Sequence, residues 1–280
     1  NRRKFVRLVL GSAQFGMEYG VVNSSGICSE TDLKKILDFS FSSGITEIDT
    51  AVSYGESEKN LGSAGVGRFK ISSKIPYLEN YRYGDLNRLV SRSLEKLCVS
   101  SLEILYLHDD RNAVNVELLT ELDDLKKMGK ICKTGVSTYA ENTAVKKFNS
   151  FDVVQCQGNA FDCRYLGYIS AVGLVYLRSI FLQGLLLSNI GNLPKFMSKE
   201  KHLFLAWENY CKMHGLSKLE MSLHNVANHS VGAFIVGVSS LKDLEQIVLA
   251  RERVLQVSEI PLFKYNEIQD WVIDPRVWSS

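Results

Sequence analysis

Eight short apolar, β-branched runs punctuate this chain, at 5–11, 45–49, 69–74, 102–108, 131–137, 151–155, 173–179 and 233–238. Most are separated by stretches with helical spacing. ETDLKKILDFSFSSG puts Leu33, Ile36, Leu37 and Ser40 on one face, with Ser29 or Thr31 as the cap and Gly44 as the stop. GDLNRLVSRSLEKL repeats the pattern through Leu86, Leu89, Val90, Leu94 and Leu97. NVELLTELDDLKKMGK repeats it again and ends in a lysine-rich turn that suits the helix dipole. Strands buried on both faces read as near-continuous apolar runs, as VRLVLG, LEILYL and FDVV do. Such alternation specifies a parallel α/β fold. The rival arrangement is an open doubly wound sheet, but the first run continues into SAQFGMEYG and not into a G-x-G-x-x-G turn. A single (β/α)8 TIM barrel spanning 1–280 fits the length and the number of runs. Residues 260–280 carry Trp271 and Trp278, and this tail either packs on outer helices or folds over the site.

Composition removes several functional classes. At 45% hydrophobic and 23% charged the chain can bury a substantial core. Its net charge of +2 is too balanced, and its basic residues too scattered, for nucleic acid; NRRK at the start reads as a terminus. The apolar runs at 182–187 and 233–238 are far short of the ~20 residues of a membrane span. Six cysteines without a C-x-x-C pair point to reduced thiols in a soluble cytoplasmic protein, with no metal and no disulfide framework. His202, His214, His224 and His229 lack the H-E-x-x-H spacing of a metal site.

Barrel enzymes place their chemistry at the C-terminal ends of strands. Here the second run ends in Asp49, the third in Lys74 and the fourth in His108, with Tyr54 just after the second. A phenol with a pKa near ~10 is a poor acid at neutral pH. An adjacent ammonium stabilises the phenolate, and a carboxylate paired with that ammonium fixes its position. A histidine then orients a carbonyl oxygen. Such a set protonates an oxygen as hydride reaches its carbon, and the hydride comes from a cofactor.

Several stretches carry a resemblance to the aldo-keto reductases: LGSAQFG, GITEIDTAVSYGESEKNLG, ISSKI, LYLHDD, GVST, DVVQCQGNAFD, RSIFLQGLL and IVGVSSLKDLEQI. The resemblance implies a (β/α)8 barrel that binds NADP(H) or NAD(H) and reduces aldehydes or ketones. It places the catalytic tetrad on Asp49, Tyr54, Lys74 and His108: Tyr54 as general acid, Lys74 as its partner, Asp49 as the anchor of Lys74, and His108 as the carbonyl orienter. Cofactor contacts fall on Gly11, Ser12, Ser137, Gln155, Arg178, Ser179, Phe181, Gln183, Gly237, Ser239, Asp243 and Gln246. Thr138 replaces the usual Asn, and Arg178 stands where an aromatic ring usually stacks on the nicotinamide. Asp243 stands where NADP-preferring members place Arg, which implies weak discrimination or a lean towards NAD(H). Lys242, Arg251 and Arg253 are close enough in sequence to compensate. Phe15 is expected at the substrate mouth, Cys156 in the core, and Glu56 and Glu58 in the first turn of the helix after Tyr54. The implied function is NAD(P)-dependent oxidoreduction of a small polar or sugar-like carbonyl by a monomer or small homo-oligomer. The alternatives are a nicotinamide-binding regulatory protein with little turnover and a phosphate-handling barrel lyase or isomerase.

Overall fold

The computed structural model describes residues 7–21, 26–139, 148–169, 172–227, 229, 231–265 and 267–278. The basic cluster at 1–4 and the start of the first apolar run lie outside them. The apolar runs form eight parallel strands: β1 Leu8–Gly11, β2 Glu47–Asp49, β3 Lys70–Ile75, β4 Leu102–Leu107, β5 Ile131–Thr138, β6 Val153–Gln157, β7 Val175–Arg178 and β8 Ala233–Gly237. They close into a barrel in sequence order, β8 pairing with β1 through Leu8↔Phe234 to Gly11↔Gly237. Alternation forced this outcome: each strand needs a crossover to reach a parallel neighbour, and the intervening helices provide it.

The helices are α1 Glu30–Ser42, α2 Ser57–Ala64, α3 Asp85–Leu97, α4 Val116–Lys127, α5 Leu166–Ile169, α6 Lys201–Met213, α7 Lys218–Ala227, α8 Leu241–Val254 and α9 Asp270–Ile273. Ser29, not Thr31, caps α1 by accepting from the Asp32 N–H at 3.1 Å, and Gly44 follows the helix with φ 78°. Leu33, Ile36, Leu37 and Ser40 form the buried face of α1, as their spacing requires. On α3, Leu86, Val90 and Leu97 are buried with Ser93, while Leu89 and Leu94 are half-buried.

Two apolar layers follow from strand alternation. Leu8, Leu10, Leu105, Leu107 and Val154 join the layer under the helices, whereas Val9, Ile104, Tyr106, Val153, Tyr176 and Ile235 form a separate cluster from the alternate positions. Gly135 makes room for the Tyr106 ring, since a Cβ there would lie 2.4 Å from it. A third cluster gathers Phe161, Trp207, Phe263, Val272 and Ile273. Through it the tail packs on α6, and the Gln157 side-chain amide at the end of β6 donates to the Ile273 carbonyl. The tail therefore contacts both an outer helix and a strand's C-terminal end.

Candidate active site

β2 and β3 bring the first two ionisable groups together at adjacent strand ends. Lys74 is 0% exposed; it donates to Asp49 Oδ2, and to the Thr50 carbonyl at 2.9 Å. Gln155, across the barrel on β6, donates to the other Asp49 oxygen at 2.8 Å. Burial works against the charge on Lys74, but Asp49 and Tyr54 outweigh it and raise its pKa. The third donor direction of the ammonium goes to Tyr54, 3.3 Å from Nζ to Oη.

Tyr54 lies in the loop from β2 to α2, and backbone packing locks that loop. Gly55 has φ 55°, and a Cβ there would fall 2.3 Å from the Gly16 carbonyl oxygen. A Cβ on Gly16 would in turn fall 2.2 Å from the Tyr54 carbonyl oxygen. The two turns touch main chain to main chain, a fit that only glycine permits. Further bonds fasten them: Glu56 N–H to Gly16 O (3.2 Å), Asn60 Nδ2 to Phe15 O (2.7 Å) and Ser57 Oγ to Ser12 O (2.9 Å).

His108, at the end of β4, lies edge-on to Tyr54 with ring centroids 5.8 Å apart. Its Nδ1 is 3.1 Å from Ser53 Oγ. Burial first, then the charges of Lys74 and Arg178, push its pKa down to about 3, so the imidazole is neutral at physiological pH.

A cavity of about 380 Å³ runs from Tyr54, Asp49 and Gln155, past Gly11 and Ser12, to Gly237, Ser239, Asp243 and Gln246. Arg178, Ser179, Phe181 and Gln183 line it as well. Ser179, Leu182 and Gln183 adopt φ of 60°, 48° and 51°, a conformation costly for non-glycine residues and found where a site imposes it. Gln155 lines this cavity, and its Oε1 is buried with no hydrogen-bond partner among the described residues. At the far end, Asp243 on α8 accepts from the Ser239 N–H at 3.2 Å, while Ser240 caps the helix at the Asp243 N–H. Arg251 and Arg253 are engaged elsewhere, with Glu252 and Glu220.

His108 and Ser137 line a second cavity of about 570 Å³, with Asp109, Asp110, Arg111, Thr138, Tyr139 and Arg276. Thr138, in place of the familiar Asn, donates to Asp110 Oδ2 at 2.6 Å.

One expectation needs correction. Phe15 is 0% exposed and belongs to the apolar layer under the helices, because its short 3-10 turn directs the ring inward; it is not at a substrate mouth. Glu56 and Glu58 start α2 as expected, at its N-cap and in its first turn; Glu58 is in addition 3% exposed and accepts from Ser73 Oγ (2.7 Å) and Ser93 Oγ (3.2 Å). Cys156 is buried in the core, and burial pushes its thiol up to about 12. Gln14, Tyr19, Ser53, Tyr139 and Arg276 border the site without having been singled out from sequence. Only Ser53 had a local signal, standing beside Tyr54.

Comparison with known proteins agrees with this fold. The model of the aldo/keto reductase family matches residues 7–265. D-arabinose 1-dehydrogenase of Saccharomyces cerevisiae is 27% identical, over 85% of this chain and 80% of that protein. An aldo-keto reductase of Bacillus halodurans, solved in its holo form, superposes with TM-score 0.70 at 19% identity, covering 91% of this chain and 88% of that one. A provisionally assigned aldo-keto reductase of Pseudomonas aeruginosa gives 0.68 at 22%, covering 89% and 91%.

Proposed function

For a chain that belongs to the aldo/keto reductase family, and so to NAD(P)-dependent oxidoreductases, we propose interconversion of a polyhydroxylated, sugar-like carbonyl and its alcohol, with Tyr54 as the proton donor. The observation that carries this reading is the Asp49–Lys74–Tyr54 chain beside a neutral His108. A nicotinamide cofactor, when bound, supplies or accepts the hydride. The cavity suits one: Gly11, Ser12, Gly237 and Ser239 give it a wall of small residues, and Gln155, whose buried Oε1 lacks a partner among the described residues, stands beside Tyr54 to meet a carboxamide.

Each protein group has a separable task. Tyr54 Oη gives its proton to the substrate oxygen, and the Lys74 ammonium stabilises the phenolate left behind. Asp49, fixed by Gln155, keeps Lys74 from turning away. Ser53 Oγ is 3.1 Å from Nδ1 of His108; in the tautomer where Ser53 donates to Nδ1, the ring proton sits on Nε2 and donates to the carbonyl oxygen, orienting it. In the reverse direction Tyr54 phenolate receives the alcohol proton.

The substrate class rests on the polar wall beside His108, where Asp109, Asp110, Arg111, Ser137, Thr138 and Arg276 offer partners for several hydroxyls. The arabinose dehydrogenase relative points the same way. Following NAD(P)H absorbance against aldoses, ketoses and plain aliphatic aldehydes of equal length tests it. Polyhydroxy carbonyls are expected to show kcat/KM at least about tenfold higher, the worth of one well-used hydrogen bond to a charged group. Equal values for aliphatic aldehydes sink the sugar reading.

Cofactor choice follows from Asp243. Its carboxylate already takes the Ser239 N–H and would repel a 2′-phosphate at this wall. We expect NADH to be used as well as NADPH or better, and Asp243→Asn to improve NADPH selectively. Comparison of kcat/KM for the two cofactors decides; a preference for NADPH above ~100-fold, nearly 3 kcal/mol, refutes it.

A further inference from the structure

One cation in the cavity has no role in the proton path. Arg178, at the end of β7, lines the same cavity as Tyr54 and Gln155. Its guanidinium is pinned 4.4 Å from the centroid of the Tyr139 ring, and it donates to the Thr138 carbonyl at 3.3 Å. Tyr139 is held in turn by Arg276, whose guanidinium lies 3.7 Å from the same ring centroid. The Arg178 charge is thus fixed in place.

The nearby carboxylates have other partners: Asp109 pairs with Arg111, and Asp110 accepts from the Thr138 hydroxyl at 2.6 Å. Lys74 is neutralised by Asp49, and Arg276 by a two-point ion pair with Asp274. His108 is neutral, and burial, followed by the nearby Tyr54, pushes the Tyr19 phenol up to about 12, so it too is uncharged. Arg178 has the Thr138 carbonyl and the Tyr139 ring as partners and no ion pair with a carboxylate among the described residues, so it brings an unpaired positive charge to this end of the cavity.

We infer that Arg178 makes the site discriminate between the two oxidation states of its cofactor, binding the uncharged reduced nicotinamide more tightly than the cationic oxidised one. This rests on the nicotinamide site proposed above. The physical ground is like-charge repulsion in a partly desolvated cavity, which acts on one form and not the other. Linkage supplies the consequence: a protein that favours the reduced form tilts the equilibrium of its bound reactants towards reduced cofactor and carbonyl. In that direction the alcohol C–H bond breaks with transfer of hydride to the nicotinamide, its O–H proton passes to the Tyr54 phenolate, and the C=O bond forms. The oxidised cofactor is also the form released more readily.

Dissociation constants test this without turnover. Reduced dinucleotide is titrated by fluorescence and oxidised dinucleotide by calorimetry, for NADH with NAD⁺ and for NADPH with NADP⁺. The natural protein is expected to bind the reduced form at least about tenfold more tightly, given the strength of close charge pairs in such sites. Arg178→Gln is expected to narrow the ratio by at least about tenfold, chiefly by tightening the oxidised form, and Arg178→Lys to preserve most of it. Equal affinities for the two forms in the natural protein overturn the inference, whatever the variants do. A ratio unchanged in Arg178→Gln overturns it too, while leaving the nicotinamide site intact. Failure of every dinucleotide to bind the natural protein overturns both that site and this inference.

Discussion

Replacing Tyr54 with phenylalanine is expected to lower kcat by at least about 10²-fold, close to 3 kcal/mol of transition-state stabilisation, in either direction of the reaction. The ring loses one oxygen and keeps its shape, its edge-on contact with His108 and its glycine-locked loop. Dinucleotide affinity should therefore change little, and the loss should appear in kcat and kcat/KM alike, the pattern of an interaction made only in the transition state. Single-turnover absorbance traces with saturating cofactor read the chemical step directly. If Tyr54→Phe turns over at near the natural rate, the proton comes from another group and the proposed role of Tyr54 is wrong.

Lys74→Met carries the second large effect, and it falls on both activity and stability. The ammonium that donates to Tyr54 Oη is gone, so turnover should drop by at least about 10²-fold. The fold also loses half of a buried pair. Asp49 remains enclosed with a single strong donor, Gln155, and such a broken pair costs roughly 3–5 kcal/mol. The two losses separate in Asp49→Asn/Lys74→Met. That double variant removes the stranded carboxylate charge and should regain much of the stability lost in denaturant melts, yet remain inactive. Recovery of turnover along with stability would show that Lys74 serves only the fold.

The barrel and three of the four ionisable groups were legible from sequence for a common reason, and Tyr54 through its place just after one of them. A parallel strand buried on both faces has no use for a charge, so a polar residue closing an apolar run marks the rim where strands meet solvent. Asp49, Lys74 and His108 all lie at such points. Loop residues carry no comparable mark. Tyr139 and Arg276 come together at the second cavity from positions 137 residues apart, and nothing in their local sequence requires it. Glu58 looked like an ordinary first-turn carboxylate until Ser73 on β3 and Ser93 on α3 closed around it. Phe15 failed for a smaller reason: one 3-10 turn decides whether a ring after β1 faces the mouth or the core. Local pattern reports where the rim is, and long-range packing decides which loop residues reach it.

The tail anchored by Gln157 has a consequence in the order of synthesis. Every member of the proposed proton path has left the ribosome once His108 has emerged, whereas the cavity wall beside that histidine waits for Arg276, far downstream. The chemistry is thus encoded early and its enclosure late. Exchange of the segment that carries Arg276 among related barrels would renew what the pocket accepts, with the groups proposed to move the proton passed on untouched.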